Sequence, residues 1–184
     1  MQPLSNPSPT DAVRKMSQQI LVGIFRDVAW IRVQGKGSFE NSPGLRSFVQ
    51  KLLDEGRNQF VVDLEECSGM DSTFMGTLTG VALLLADRPT ARMQVINADD
   101  RNLKLIRTLG LDRVIEVDVD GKAWRQERAL VKENVSRSLE GPSLCSQEKR
   151  IFIKEAHEAL CEANEENSSR FRDVLEYLGG SSEK

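Results

Sequence analysis

Residues Phe60–Gly80 read FVVDLEECSGMDSTFMGTLTG. The segment divides into an apolar, β-branched run (Phe60, Val61, Val62) closing on Asp63-Leu64, a short acidic loop, and a helix opening at Asp71, Ser72 and Thr73. Successive apolar residues suit a strand covered on both faces, because alternate side chains point to opposite sides of a sheet. Asp71, Ser72 or Thr73 can cap the following helix by accepting a hydrogen bond from one of its free N–H groups. A hydroxyl at that place sits in the positive field of a helix N-terminus, which favours an added anion such as phosphate. Phosphorylation would take the spot from neutral to about −2 without unfolding the chain. The stretch reads as a switch built into a strand-to-helix turn.

Working outward, residues 20–25 and 28–33 are two β-rich runs joined by Arg26-Asp27, which predicts a tight hairpin. Gly35 and Gly37 break the pattern. Ser42-Pro43 predicts a helix start, with Ser42 as cap and Pro43 in the first turn. Leu45, Phe48, Val49, Leu52 and Leu53 then form one buried face, and Gly56 suits the C-terminal stop. The helix that follows Thr73 runs to about Asp87 and is apolar on most sides, so it is expected to be the most buried. Gly76 and Gly80, four apart, are expected to bring it close to the sheet. Residues 93–96 predict a strand, and Asp99 or Asp100 caps a helix carrying Leu103, Ile106 and Leu109, stopped at Gly110. Residues 114–117 predict the last strand. The order β-β-α-β-α-β-α-β defines an α/β fold with right-handed crossovers and a largely parallel sheet.

Both ends differ in texture from this middle. Residues 1–17 hold three prolines and little that can pack, and are expected to form a flexible tail. Residues 18–118 make the domain, and 119–184 a C-terminal helical hairpin. Within that extension, residues 122–139 predict one helix, with Trp124 docking it onto the domain. Ser146 then caps a long helix through Leu178, with a break expected near Asn167. Residues 1–117 are balanced in charge, so the net charge of −3 resides in the extension. A hairpin with an apolar stripe needs a surface to cover it: its own domain, a second copy, or another protein.

Composition excludes several functions. A net charge of −3, with no basic run, argues against nucleic acid as the main partner. The longest apolar stretch, residues 80–86, is too short to span a bilayer, so no membrane insertion is expected. The N-terminus lacks the charged start and apolar core of a signal peptide. Three widely spaced cysteines (Cys67, Cys145, Cys161) suggest reduced thiols and a cytoplasmic location. Cys67 reads as a small apolar filler. The single histidine, His157, cannot build a metal cluster and is expected to face solvent. Glu65-Glu66 do not read as a catalytic pair, since adjacent carboxylates diverge. Gly35-Lys36-Gly37 lacks the spacing of a phosphate loop. No cofactor, metal or catalytic group is expected, and the chain is not read as an enzyme.

The element order and the turn resemble the STAS domain, named for sulfate transporters and anti-sigma factor antagonists. Its hallmark is a strand ending in Asp-Leu, a loop, then Asp-Ser-Ser/Thr-Gly-Leu-Gly at the head of a helix. Here the strand ends at Asp63-Leu64, and the turn reads Met70-Asp71-Ser72-Thr73-Phe74-Met75-Gly76. Val95-Ile96-Asn97 and the run Leu109–Ile115 are similar to the family's later strand and its ending. The resemblance covers residues 20–117. It departs at Phe74 and Met75, where the family has Gly and Leu. A bulky Phe74 is expected either to extend the partner-binding face or to hinder a kinase.

The resemblance implies an anti-sigma factor antagonist. Its unmodified form would bind an anti-sigma factor, often a GHKL-type serine kinase, and so free the sigma factor. Ser72 and Thr73 align with the family's two hydroxyl positions and are the implied phosphoacceptors. Asp71, Phe74, Met75 and Gly76 would complete the partner-binding turn, and a PPM-type phosphatase would restore the hydroxyl. The alternative is an unphosphorylated STAS scaffold subunit of a larger assembly, such as a lipid-transport ATPase or a signalling platform. Self-association through the C-terminal helices is a further expectation.

Overall fold

The computed structural model describes residues 18–131 and 134–180. The tail expected over residues 1–17 lies outside them. Strand β1 (Gln19–Phe25) turns back on β2 (Val28–Gly37) in an antiparallel ladder that pairs Phe25 with Val28. Arg26 takes the left-handed conformation (φ 55°) that so short a turn demands. Strand β3 (Gln59–Asp63) lies parallel between β2 and β5 (Arg92–Ile96), and β6 (Glu116–Val117) extends the sheet beyond β5. The path is β6-β5-β3-β2-β1-β7, with β7 being Arg137–Ser138 and β4 (Cys67–Met70) paired to the far end of β2.

Register explains why β3 is apolar throughout. Ile31, Val62 and Val95 stand in one row across three strands and point to a core shared with the helices α1 (Ser42–Asp54), α2 (Ser72–Ala86) and α3 (Asp100–Leu109). One residue back, Trp30 and Val61 point to the opposite face. There Val131, Val135 and Trp124 cover them, brought by α4 (Arg125–Val131) and the segment after it. The rings of Trp30 and Trp124 meet edge to face, with centroids 5.7 Å apart. The mixed α/β architecture expected from the element order is present, with further helices at the C-terminus.

Several boundaries differ from expectation. Strand β2 continues through Gly35 and Gly37, because β4 offers its backbone a partner there, with a bulge between Gly35 and Lys36. Asn41, not Ser42, is the N-cap residue of α1, and its Oδ1 accepts the Ser38 N–H. The last strand is only two residues long, because Leu111–Arg113 makes a 3-10 turn first. Residues 122–139 do not form one helix. After α4, β7 (Arg137–Ser138) pairs with Leu21 and Val22, supplying backbone partners that the outer edge of β1 would otherwise lack.

The long C-terminal helix is two: α5 (Ser146–Ala163) and α6 (Glu166–Gly179). Cys145, not Ser146, caps α5, and the Glu148 carboxylate accepts a hydrogen bond from the Cys145 N–H. The break falls at Asn164–Glu165, before Asn167. Asn167 is wholly buried at this elbow and donates to the carbonyls of Leu109 and Leu160. The Arg113 guanidinium donates to Asn164 Oδ1 and that of Arg170 to the Thr108 carbonyl, so the elbow is tied to the end of α3. Of the three covers considered for the hairpin, the structure shows the first: α5 and α6 pack on their own domain, and Leu160 and Phe171 join its core.

Candidate functional site

The Asp71 turn is positioned by two strands and one carboxylate. Strand β4 runs beside Gly35–Gly37, and the Asp71 N–H donates to the Gly37 carbonyl at 3.0 Å. The extended backbone of Asp71 (φ −87°, ψ 170°) sends the chain into α2 and leaves its side chain free to cap it. One carboxylate oxygen accepts the Phe74 N–H at 2.8 Å, as the sequence predicts for a capping Asp71. The other accepts the Phe39 N–H at 3.0 Å, joining the loop before α1 to the start of α2. Both oxygens are thus engaged in holding the turn.

Ser72 is the first residue of α2 and is half-buried. Its Oγ lies 3.0 Å from Nε2 of His157 on α5. The other ring nitrogen of His157 lies 2.8 Å from the Ile153 carbonyl, which can only accept. That contact assigns the proton to Nδ1, so Nε2 is the acceptor and the Ser72 hydroxyl donates to it. His157 is 4% exposed, with the Phe171 ring edge-on at 4.8 Å. The expectation of a solvent-facing histidine is therefore corrected: it lies on the buried side of α5, beside the stripe Phe152, Ala156 and Leu160.

The neighbouring turn residues divide between the core and α5. Thr73 is 7% exposed, so of the two hydroxyl-bearing residues Ser72 lies nearer the surface. Phe74 is wholly buried, and its ring fills the space above Gly37, where an added Cβ would lie 2.6 Å from it. Met75 is in the same core. Phe74 thus neither extends an exposed face nor projects toward a kinase, and the bulk that replaces the family glycine is spent on internal packing. Gly76 and Gly80 do not face the sheet as expected. A Cβ on Gly76 would lie 2.1 Å from the Ala156 carbonyl oxygen, and one on Gly80 would lie 3.5 Å from the Ala159 Cβ. Helix α5 therefore crosses α2 in close contact along the stripe 72-76-80.

Two further contacts fix α5 over this end of the domain. Arg46 of α1 pairs with Glu155, and the Phe39 and Phe152 rings meet edge to face at 6.2 Å. Sequence reading missed this arrangement, although the signal was present: small residues four apart on α2, and Ala156 and Ala159 on a helix with an apolar stripe.

Asp63, the other hallmark residue, serves structure. It accepts from Arg32 Nε at 3.0 Å, from Asn97 Nδ2 at 2.8 Å and from the Glu65 N–H at 3.0 Å, with Arg32 and Asp63 both buried. Arg128 of α4 extends this network to Asn97 and Asp118. Burial pushes the Cys67 thiol above its ordinary range, and its Sγ lies 3.4 Å from the Gly69 carbonyl oxygen, to which it donates. Among the described residues, no group of three or more His, Cys, Asp or Glu side chains converges to hold a metal. No helix among them is long and apolar enough to cross a membrane.

Among solved structures, the chain is similar to TM1081 of Thermotoga maritima, assigned provisionally as an anti-sigma factor antagonist. The crystal structure matches at 17% identity and a TM-score of 0.51, over 59% of this chain and 94% of that one. The NMR structure of TM1081 matches at 16% identity and a TM-score of 0.50, over 63% and 87% of the two chains. The unphosphorylated anti-sigma factor antagonist SpoIIAA, a Bacillus cell fate determinant, matches at 16% and 0.47, over 62% and 96%. At such identities the TM1081 likeness speaks to the fold alone. The family model of the STAS domain matches residues 19–122, more than half of the sequence, and includes the Asp63 strand and the Asp71 turn. The chain belongs to the STAS domain family.

Proposed function

We propose that this protein is an anti-sigma factor antagonist whose affinity for its partner is set by phosphorylation at the Asp71–Gly76 turn. It acts by binding, without chemistry of its own, in the cytoplasm. The partner is an anti-sigma factor of the GHKL serine-kinase type, and a PPM-type phosphatase resets the switch. Ser72 is the phosphoacceptor and Thr73 the secondary one. The observation that carries this reading is the placement of Ser72: a hydroxyl at the first position of a fifteen-residue helix whose capping carboxylate is fully used elsewhere. A phosphate there gains about 0.3–1 kcal/mol from the helix terminus. It also adds charge next to Asp71, which opposes burial against a partner. A difference of about 1.4 kcal/mol weakens binding tenfold.

Tagged full-length protein, expressed in its own organism, provides the test. The wild-type chain is expected to retain a serine kinase that the Ser72→Glu variant loses and the Ser72→Ala variant keeps. Equal retention by all three would overturn the phosphorylation switch. The scaffold reading has one observation in its favour, namely that α5 already covers Ser72. It would be upheld if all three variants instead retained the same subunits of a membrane ATPase.

A further inference from the structure

The stripe of α2 that begins at the proposed acceptor, Ser72-Gly76-Gly80, is covered in this chain by its own α5. The contact is apolar at Leu160, which joins the domain core, and polar at its other end, where His157 meets Ser72. Beneath α5, α2 presents Ser72, Gly76 and Gly80, while Phe74, Met75, Leu78 and Leu85 lie in the core. The contacts that hold α5 over the turn include one hydrogen bond (Ser72–His157), one exposed ion pair (Arg46–Glu155) and one ring contact (Phe39–Phe152). Before α5, residues 139–145 have no regular structure and are mostly exposed, with the Leu139 N–H donating to the Ile20 carbonyl and Gly141 close against Gly44. After it, the elbow is anchored to α3 through Asn167 and Arg170, and to Arg113 of the following 3-10 turn through Asn164, which keeps the helix near its seat when it leaves.

The geometry points to α5 as an intramolecular cover of the switch turn, with His157 as its latch on Ser72, so that a kinase or partner reaches Ser72 only in chains where α5 has undocked. Modification of the Ser72 oxygen removes the proton that it donates to His157 Nε2, so the modified turn cannot remake the latch in its present form. The inference rests on Ser72 being the switch residue for its meaning, but its test needs no partner.

The test measures the reactivity of position 72 with and without α5 fixed in place. The thiol introduced by Ser72→Cys is alkylated with N-ethylmaleimide in the full-length chain and followed peptide by peptide in the mass spectrometer. The exposed native Cys145 serves as the internal reference. Gly80→Cys with Ala159→Cys supplies a staple, since the two Cβ positions lie 3.5 Å apart, at the short end of the range a disulfide spans. In the unstapled chain, position 72 is expected to react slowly relative to Cys145 but without global unfolding. The oxidised staple is expected to slow it at least about tenfold, and reduction to restore the rate. Two results overturn the cover: a rate unchanged by the staple, which means the site is reachable with α5 docked, or labelling in the unstapled chain that occurs only as the whole domain unfolds in urea. If the staple blocks labelling while native protein carries no phosphate at Ser72, the cover stands and the phosphorylation reading fails.

Discussion

At the scale of single residues, Asp71 has two structural duties that a sequence shows only in part. Its capping of α2 is legible from the Asp-Ser-Thr order, whereas its bond to the Phe39 N–H joins residues far apart in the chain. Asp71→Ala removes both and is expected to lower stability by about 2 kcal/mol, read as the shift of the urea midpoint at constant slope. Retained stability would mean that water replaces both bonds. The buried Arg32–Asp63 pair is harsher to disturb: Arg32→Met leaves a carboxylate with only Asn97 and the Glu65 N–H, and a loss of about 3 kcal/mol is expected in the same measurement. Cys67 offers a pH signature. Burial raises its thiol above the ordinary 9.0, so its contribution to stability is complete below that value and falls as pH rises past it. At pH 8, N-ethylmaleimide is expected to label exposed Cys145 and spare Cys67; equal labelling would mean that the β4 region opens readily.

At the scale of elements, the two glycines of α2 separate packing from propensity. Both sit in the helix, so neither needs a left-handed backbone. Gly76→Ala places a methyl 2.1 Å from a backbone oxygen of α5, and is expected to cost about 2–3 kcal/mol and to weaken the docking of α5. Gly80→Ala meets only the Ala159 methyl at ordinary contact distance, and should gain about 0.5–1 kcal/mol from helix propensity. Thermal melts of the two variants moving in the same direction would refute the close crossing. The sequence made the existence and rim of α2 readable through its cap and apolar run. Which neighbour its small residues face was not readable, because spacing defines a stripe on a helix but not the element that covers it. The same limit explains His157: one position along α5 separates the buried stripe from solvent, and the contact that decides it comes from α2. Strand β7 was missed for a related reason, since two residues paired to a sheet edge leave no periodicity to detect.

At the scale of the whole molecule, the sheet is covered on both faces by segments of unequal kind. The helices α1–α3 form the larger core, while Trp124 and α4 cover Trp30 and Val61 on the reverse. Residues beyond the family match supply Trp124, whose ring meets Trp30, the helix α4 after it, and the α5–α6 segment, whose His157 meets Ser72. The STAS domain is thus joined here to a segment that covers its Asp71 turn. The most direct measurement is the phosphorylation state of the tryptic peptide carrying Ser72 and Thr73, in full-length protein purified from its own organism under growth and stress. A single phosphate on Ser72 in part of the molecules, changing in proportion between conditions, is the expected result. A peptide unmodified under every condition, or a phosphate found only elsewhere in the chain, would contradict the assignment of this turn as the switch.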